Sequence, residues 1–214
     1  MKAIKILAFI VIACITATNV QAQEEYELTE EQKELFQNRV KQKVEEFQSS
    51  LSNIVNEKLD HSVRKEEVKN LLLLFMGGGE PYEYYDEELD RRITSSGVKM
   101  ETSSTRTNRI TTQKIKNYIY KLYDPETGTS KLSYSEIIIK SAAAVRVDNV
   151  ERVGDHYECI AYFCQKFIGT RDGKIVYIDT TCKKIKCYIT MTDLPTGKKI
   201  FEAKLGDIMV TSTE

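Results

Sequence analysis

Four segments in the last third of the chain alternate apolar and polar residues, the pattern of a strand that buries one face. The breaks between them contain Gly, Asp or Pro-Thr-Gly, which favour hairpin turns. Four long antiparallel strands with one apolar face need a second layer to cover that face. We therefore expect an α+β protein whose upstream helices pack on this sheet. The predicted strands are Lys131–Asp148, His156–Ile168, Ile175–Met191 and Lys199–Val210.

Three upstream segments have the spacing of amphipathic helices, in which apolar residues recur about every three or four positions. The longest could also form a coiled-coil dimer, but a helix lying on the predicted sheet is favoured because the sheet belongs to the same chain. No repeat or linker-like stretch interrupts the order, so residues 29–214 are predicted to form one domain. The predicted elements are a helix from Thr29 to about Leu59, a helix capped by Ser62 that ends at Gly77, short strands Tyr82–Tyr85 and Val98–Ser104, and a helix capped by Thr111 or Thr112.

The N-terminus has the features of a secretory signal peptide. Lys2 and Lys5 precede an apolar run that is too short for a confident membrane span, and a small-residue cleavage site ends at Ala22. Residues 1–22 are therefore predicted to be removed, and residues 23–28 to form a loose leader. The alternative is a lipoprotein anchored at Cys14, because Val11 to Cys14 resembles a lipobox. Either way we expect export to the periplasm or the exterior.

The charge balance excludes one class of partner. The chain has 31 Lys and Arg against 32 Asp and Glu, so it lacks the basic field that nucleic acid binding requires. Only two histidines occur and no C-x₂-C knuckle is present, so no metal site and no cofactor are predicted.

Four cysteines remain after the predicted cleavage, an even number in an oxidising compartment. They lie in the second and third long strands, which the Thr170–Gly173 turn brings together. A cross-strand disulfide between Cys159 and Cys182 is the nearest match to the hairpin register, provided that a bulge corrects it. The alternative is that the cysteines are free buried thiols. The four are Cys159, Cys164, Cys182 and Cys187.

A ligand-binding role is predicted for two residues of the third long strand. Tyr177 and Asp179 share the parity of Ile185, so they would point to the inner face of the sheet. Lys183 has the same parity, which leaves two alternatives open. A bulge between Thr180 and Lys183 would turn Asp179 outward, or Asp179 and Lys183 would form a structural ion pair.

A second candidate site is rich in tyrosine and acid. Tyr82, Tyr84 and Tyr85 alternate with carboxylates, and such a cluster can stack on a sugar ring and accept its hydroxyl protons. The simpler interpretation is a short edge strand followed by a solvated loop. Arg106 and Arg109 could likewise hold an anion or keep an edge strand soluble.

The order of these elements resembles the nuclear transport factor 2-like superfamily, the cystatin-like group that includes ketosteroid isomerase and the SnoaL-like proteins. Four short segments also look like secreted members of this superfamily from Bacteroidetes-type bacteria. They are Leu74-Phe75, Tyr118-Ile119, Tyr177–Thr181 and Leu205–Ile208.

The resemblance implies a cone-shaped fold with a pocket at its wide end, and it fixes no activity. We expect a non-catalytic domain that binds a small ligand or a protein partner through this pocket or the sheet face, with a homodimer as a further expectation. One alternative is a pocket enzyme that applies acid–base chemistry to a small hydrophobic substrate, as an isomerase or dehydratase does. The other is a glycan-binding module.

Overall fold

The fold is built on one large mixed sheet with helices on its inner face. The computed structural model describes residues 28–86, 89–154, 156–193 and 199–214, so the predicted signal peptide, Cys14 and the leader up to residue 27 lie outside the described residues. Residues Glu31–Glu214 form one unit. The helices are α1 (Glu30–Ile54), α2 (His61–Leu73) and α3 (Ile115–Leu122), and a short 3-10 turn spans Met76–Gly79.

The strands follow the order β4-β3-β10-β9-β8-β5 across the sheet, and β6 and β7 also pair with β8. Neighbours are antiparallel except for β10 and β3, which are parallel. A separate two-stranded sheet pairs β1 with β2. The strands are β1 (Glu83–Asp86), β2 (Arg91–Thr94), β3 (Lys99–Ser104), β4 (Arg109–Lys114), β5 (Glu136–Ser141), β6 (Arg146–Val147), β7 (Glu151–Val153), β8 (His156–Arg171), β9 (Lys174–Asp193) and β10 (Lys199–Thr213).

The α+β class is confirmed, and α1 covers the sheet as predicted. Its apolar stripe is buried from Phe36 to Ile54. The Phe47 ring meets Phe163 of β8 edge-on with centroids 5.8 Å apart, and the Phe36 ring lies 5.7 Å from Tyr157. These contacts place the core between α1 and the inner face of β8. Within the described chain, every helix is too short or too polar to cross a bilayer.

Two predicted helix boundaries are wrong. Helix α1 ends at Ile54 instead of Leu59, where the Arg64 side chain donates to the Ile54 carbonyl at 2.8 Å. Thr111 and Thr112 belong to β4, which pairs with β3, so α3 begins only at Ile115. Local capping signals could not show that β3 would supply a ladder partner for these threonines.

The first predicted long strand is divided into shorter pieces. Strand β5 pairs with the C-terminal half of β8, and β6 and β7 pair with its N-terminal half. A loop around Ala143 separates β5 from β6, and the Ser141 hydroxyl donates to the Ala143 carbonyl within it. The chain therefore follows one edge of β8 in three steps.

The predicted disulfide between Cys159 and Cys182 is wrong. Strands β8 and β9 pair so that Cys164 lies opposite Cys182 and Cys159 lies opposite Cys187. Cys164 and Cys182 are bonded, with their Cα atoms 4.0 Å apart, whereas Cys159 and Cys187 are free and buried. Both strands separate their cysteines by five residues, so a register that aligns one pair also aligns the other. The alternative of free buried thiols is therefore correct for the second pair.

Candidate functional site

Beyond the part of the sheet that α1 covers, the inner face of β8 and β9 becomes polar. Gln165, Asp179, Thr181 and Lys183 are all buried there. They line a cavity of about 360 Å³, hereafter the inner cavity, whose other walls come from β3, β4, α3 and residues 132–134. Polar side chains at buried sheet positions are uncommon unless they are paired or bind something.

The register of β8 and β9 explains how these side chains meet. The two strands pair without a shift from Tyr177 to Ile189, so the bulge considered between Thr180 and Lys183 does not form. Alternate residues of β9 therefore keep facing inward, and Asp179 is 3% exposed. The prediction that Tyr177 and Asp179 point inward is confirmed, and both line the inner cavity. Their role in binding stays a prediction.

Asp179 serves as an anchor for the turn between β3 and β4. The backbone N–H of Thr105 donates to Asp179 Oδ2 at 3.3 Å, and the Thr105 hydroxyl donates to Oδ1. The Tyr177 hydroxyl also donates to Oδ2. Because both carboxylate oxygens accept hydrogen bonds from the protein, Asp179 is tied to the fold. This arrangement fits a structural acceptor better than a base that must be free to take a proton.

Lys183 is buried without a counter-ion. It is 4% exposed, and no carboxylate of the described residues forms an ion pair with its ammonium. The alternative of an ion pair between Asp179 and Lys183 is therefore wrong. The two residues are four positions apart on one strand, which separates their Cα atoms by roughly 13 Å. The Tyr118 ring on α3 faces the amine, with its centroid 5.8 Å from Lys183 Nζ. Burial lowers the pKa of Lys183 to about 7.

Gln165 carries a buried polar group that has no hydrogen-bond partner in the described chain. Its side chain is 5% exposed, and Nε2 has no hydrogen-bond partner within the part of the chain that the structure describes. Gln165 lies opposite Thr181, and Lys183 lies opposite Phe163. This register makes Gln165 and Lys183 diagonal neighbours on the inner face, about 7 Å apart, within reach of one ligand atom.

An aromatic cluster forms another wall of the inner cavity. The Tyr134 and Tyr177 rings stack with centroids 6.1 Å apart, and the Phe167 ring lies 5.8 Å from each. Tyr134 packs on Gly169, where an added Cβ would lie 2.5 Å from the ring. Arg106 holds the nearby turn, because its Nη2 donates to the Val176 carbonyl at 2.6 Å. The cavity thus combines hydrogen-bond donors with flat apolar surfaces.

The tyrosine-rich candidate site lies elsewhere. Tyr84 belongs to the β1–β2 sheet, where its ring is 5.9 Å from that of Tyr82, and it is not part of the lining of the inner cavity. The Tyr85 backbone pairs with Arg92 in the same small sheet. The structure therefore brings Tyr177 and Asp179 together but separates both from Tyr84.

Sequence reasoning missed Gln165 and Tyr134, and it treated Lys183 only as a complication. A signal for Gln165 was present, because it has the parity of Phe163 and Phe167 and so stands at an inward position. Tyr134 offered no such signal, since it lies in a segment of irregular backbone before β5. No group of three or more potential metal ligands assembles among the described residues.

Comparisons with known proteins do not assign the site. No protein-family model, no curated protein and no solved structure matches this chain. The function has to be inferred from the inner cavity itself.

Proposed function

We propose that this protein is an exported, non-catalytic domain that binds a small molecule in the inner cavity. One observation carries the proposal: Gln165 lines the cavity, and its Nε2 is buried without a partner in the described chain. A buried donor without an acceptor costs roughly 1–3 kcal/mol, so such groups in folded proteins usually serve a ligand or an ordered water. A ligand oxygen would satisfy it.

The rest of the cavity specifies the kind of ligand. Lys183 and Gln165 both donate, so the ligand presents an acceptor oxygen at that end. The rings of Tyr134, Phe167 and Tyr177 offer flat surfaces to an apolar or cyclic part of the same molecule. A volume of about 360 Å³ falls in the range of small-molecule sites.

The acid–base enzyme alternative receives less support. It depended on Asp179, whose oxygens already accept from Thr105 and Tyr177. We also propose membership of the nuclear transport factor 2-like superfamily, supported by the α+β class and the order of helices and long strands. Export is supported by the signal-like residues 1–22, and a homodimer through the outer sheet face remains a prediction.

The test is a native mass spectrum of mature protein purified from its own cell envelope, compared with the denatured mass. We expect a small co-purifying molecule that denaturation releases. The variant Gln165→Leu should fold and lose this molecule, whereas Gln42→Leu on the exposed face of α1 should keep it. The proposal is contradicted if the wild-type protein carries no ligand and gains no thermal stability from a metabolite extract of the same cells.

A further inference from the structure

Lys183 is an amine placed where its charged form is poorly stabilised. It projects from the middle of β9 into the inner cavity and is 4% exposed. An isolated buried ammonium is costly, so such a group favours the neutral amine, which has a free electron pair and is a nucleophile.

Within the described chain, the groups around Lys183 do not include a carboxylate that would neutralise its charge. On α3, the Tyr118 ring lies 5.8 Å from Nζ and weakly favours the cation. Lys121, which donates from Nζ to Gln113 Oε1 at 2.6 Å, lines the same cavity and disfavours a second positive charge. From β8 the residues that face it are the uncharged Phe163 and Gln165.

Three charged groups on neighbouring elements are engaged with other atoms. Arg106 of the β3–β4 turn donates to the Val176 carbonyl, and the Asp179 oxygens accept from Thr105 and Tyr177. On the β3 side, Glu101 Oε2 accepts the backbone N–H of Val210, the β10 residue opposite Lys183, at 2.9 Å. The charged groups closest to the cavity are thus either cations or carboxylates held by other donors.

We propose that Lys183 is a carbonyl-reactive amine that captures an aldehyde or ketone in the inner cavity as an imine, with Gln165 Nε2 donating to the carbonyl oxygen until that oxygen leaves as water. This inference rests on the proposed function and names the chemical class of its ligand. Both groups are supplied by adjacent strands in fixed register, so they are positioned before the ligand arrives.

The reaction needs no further reagent. The electron pair of Nζ attacks the carbonyl carbon, a C–N bond forms, and the carbonyl oxygen becomes a hydroxyl with a proton that the nitrogen gives up through solvent. The hydroxyl then leaves as water with the second proton of the nitrogen, passed through solvent, so that the C–O bond breaks and the C=N bond of the imine forms. A hydrogen bond from Gln165 would polarise the carbonyl during the attack and assist departure of the oxygen. No oxidation or reduction occurs, and water reverses the reaction.

The first test measures the reactivity of Lys183 within the intact wild-type protein. Formaldehyde, the smallest aldehyde, is added with sodium cyanoborohydride at pH 7, and methylation of each lysine is followed by peptide mapping. Lys184 is the internal control because it is the next residue and lies on the opposite face of β9. Burial lowers the pKa of Lys183 to about 7, so half of its amines are neutral at that pH, against about one in 2,500 for an ordinary lysine.

We expect Lys183 to be methylated at least about tenfold faster than Lys184 at pH 7. A less basic amine is a weaker nucleophile, but this loss cancels only part of the gain that Lys183 has from its larger neutral fraction. The ratio should fall to about one or below at pH 10, where roughly a quarter of ordinary lysine amines are neutral and the lower nucleophilicity of Lys183 outweighs its remaining advantage. Gln165→Leu should slow the labelling of Lys183 without changing that of Lys184. Equal or slower labelling of Lys183 at pH 7 would overturn the proposal.

The second test separates this inference from the proposed function. Protein from its own cell envelope is treated with borohydride before denaturation. A ligand mass that stays attached to Lys183 supports the imine. A ligand that appears in the native spectrum but leaves on denaturation after the same treatment refutes the imine and leaves small-molecule binding intact.

Discussion

Cys164 and Cys182 lie directly opposite each other on strands β8 and β9 and form a disulfide across the sheet. The bond closes a segment with a sequence separation of 18 residues that includes the β8–β9 hairpin. Since a cross-link restricts the unfolded chain, a loop of this length stabilises the folded state by about 3 kcal/mol in the chain-entropy model.

The first prediction concerns this bond. Replacing both cysteines in Cys164→Ser/Cys182→Ser should lower the free energy of unfolding by up to about 3 kcal/mol, measured by urea denaturation. Wild-type protein in a reducing agent should give the same value as the variant, which itself should not respond to the reagent. An identical wild-type stability with and without reductant would show that the bond is not formed.

The second prediction concerns the other cysteine pair. Cys159 and Cys187 are buried thiols on the inner face, and the hydrogen bond between the two thiols together with burial raises the pKa of the Cys187 thiol well above its ordinary value. Because the thiolate is the reactive form, neither should react with iodoacetamide in the folded protein. After denaturation without reductant, exactly two of the four mature cysteines should be alkylated, as read from the intact mass. Zero alkylated residues would reveal a second disulfide.

The third prediction follows from the burial of Lys183. Its pKa is about 7 in the folded protein and near 10.4 in the unfolded chain, so the unfolded state binds more protons between these values. Stability therefore rises with pH across this window, and the penalty from Lys183 is fully present below about pH 7 and gone above about pH 10.5.

Lys183→Met removes the amine and keeps a long apolar side chain. We expect it to stabilise the protein by about 4 kcal/mol at pH 7 and by less than about 1 kcal/mol at pH 10, since the penalty follows the linkage relation. Urea denaturation at both pH values measures the effect. Lys184→Met is the matched control and should show no such dependence on pH. An equal gain in the free energy of unfolding at the two pH values would show that the burial of the Lys183 ammonium does not cause the pH dependence.

The fourth prediction concerns the anchor between β9 and the β3–β4 turn. Asp179→Asn keeps the shape but replaces one accepting oxygen with an NH₂ group that faces the donors of Thr105 or Tyr177. We expect a loss of about 2 kcal/mol in stability and faster hydrogen exchange at the Thr105 amide.

Asp172→Asn provides the comparison for this variant. Asp172 is exposed in the β8–β9 turn with φ of 52°, a conformation that Asn tolerates. It should leave both stability and Thr105 exchange nearly unchanged. A similar loss in the two variants would mean that the charge, and not the anchor, is responsible.

The sequence predicted the layers of the fold because residues that become buried are apolar and recur with the period of a helix or a strand. The stripe from Phe36 to Ile54 predicted a helix on a sheet, and the alternation around Phe163 predicted an inward face. The same parity correctly placed Asp179 inside. Local signals were less informative at Thr111, which has the side chain of a helix cap but lies in a strand because β3 supplies its ladder partner.

Tertiary structure decided which inward residues form a site. Parity alone treats Asp179, Lys183 and Gln165 alike, since each is polar at an inward position. Only the contacts distinguish them: Asp179 accepts hydrogen bonds from Thr105, which is distant in sequence, whereas Gln165 Nε2 donates to no acceptor within the described chain. The pairing register likewise places Cys164, and not Cys159, opposite Cys182, to which it is bonded. Periodicity is a property of one strand, but hydrogen bonding and register depend on the neighbours that each strand acquires on folding.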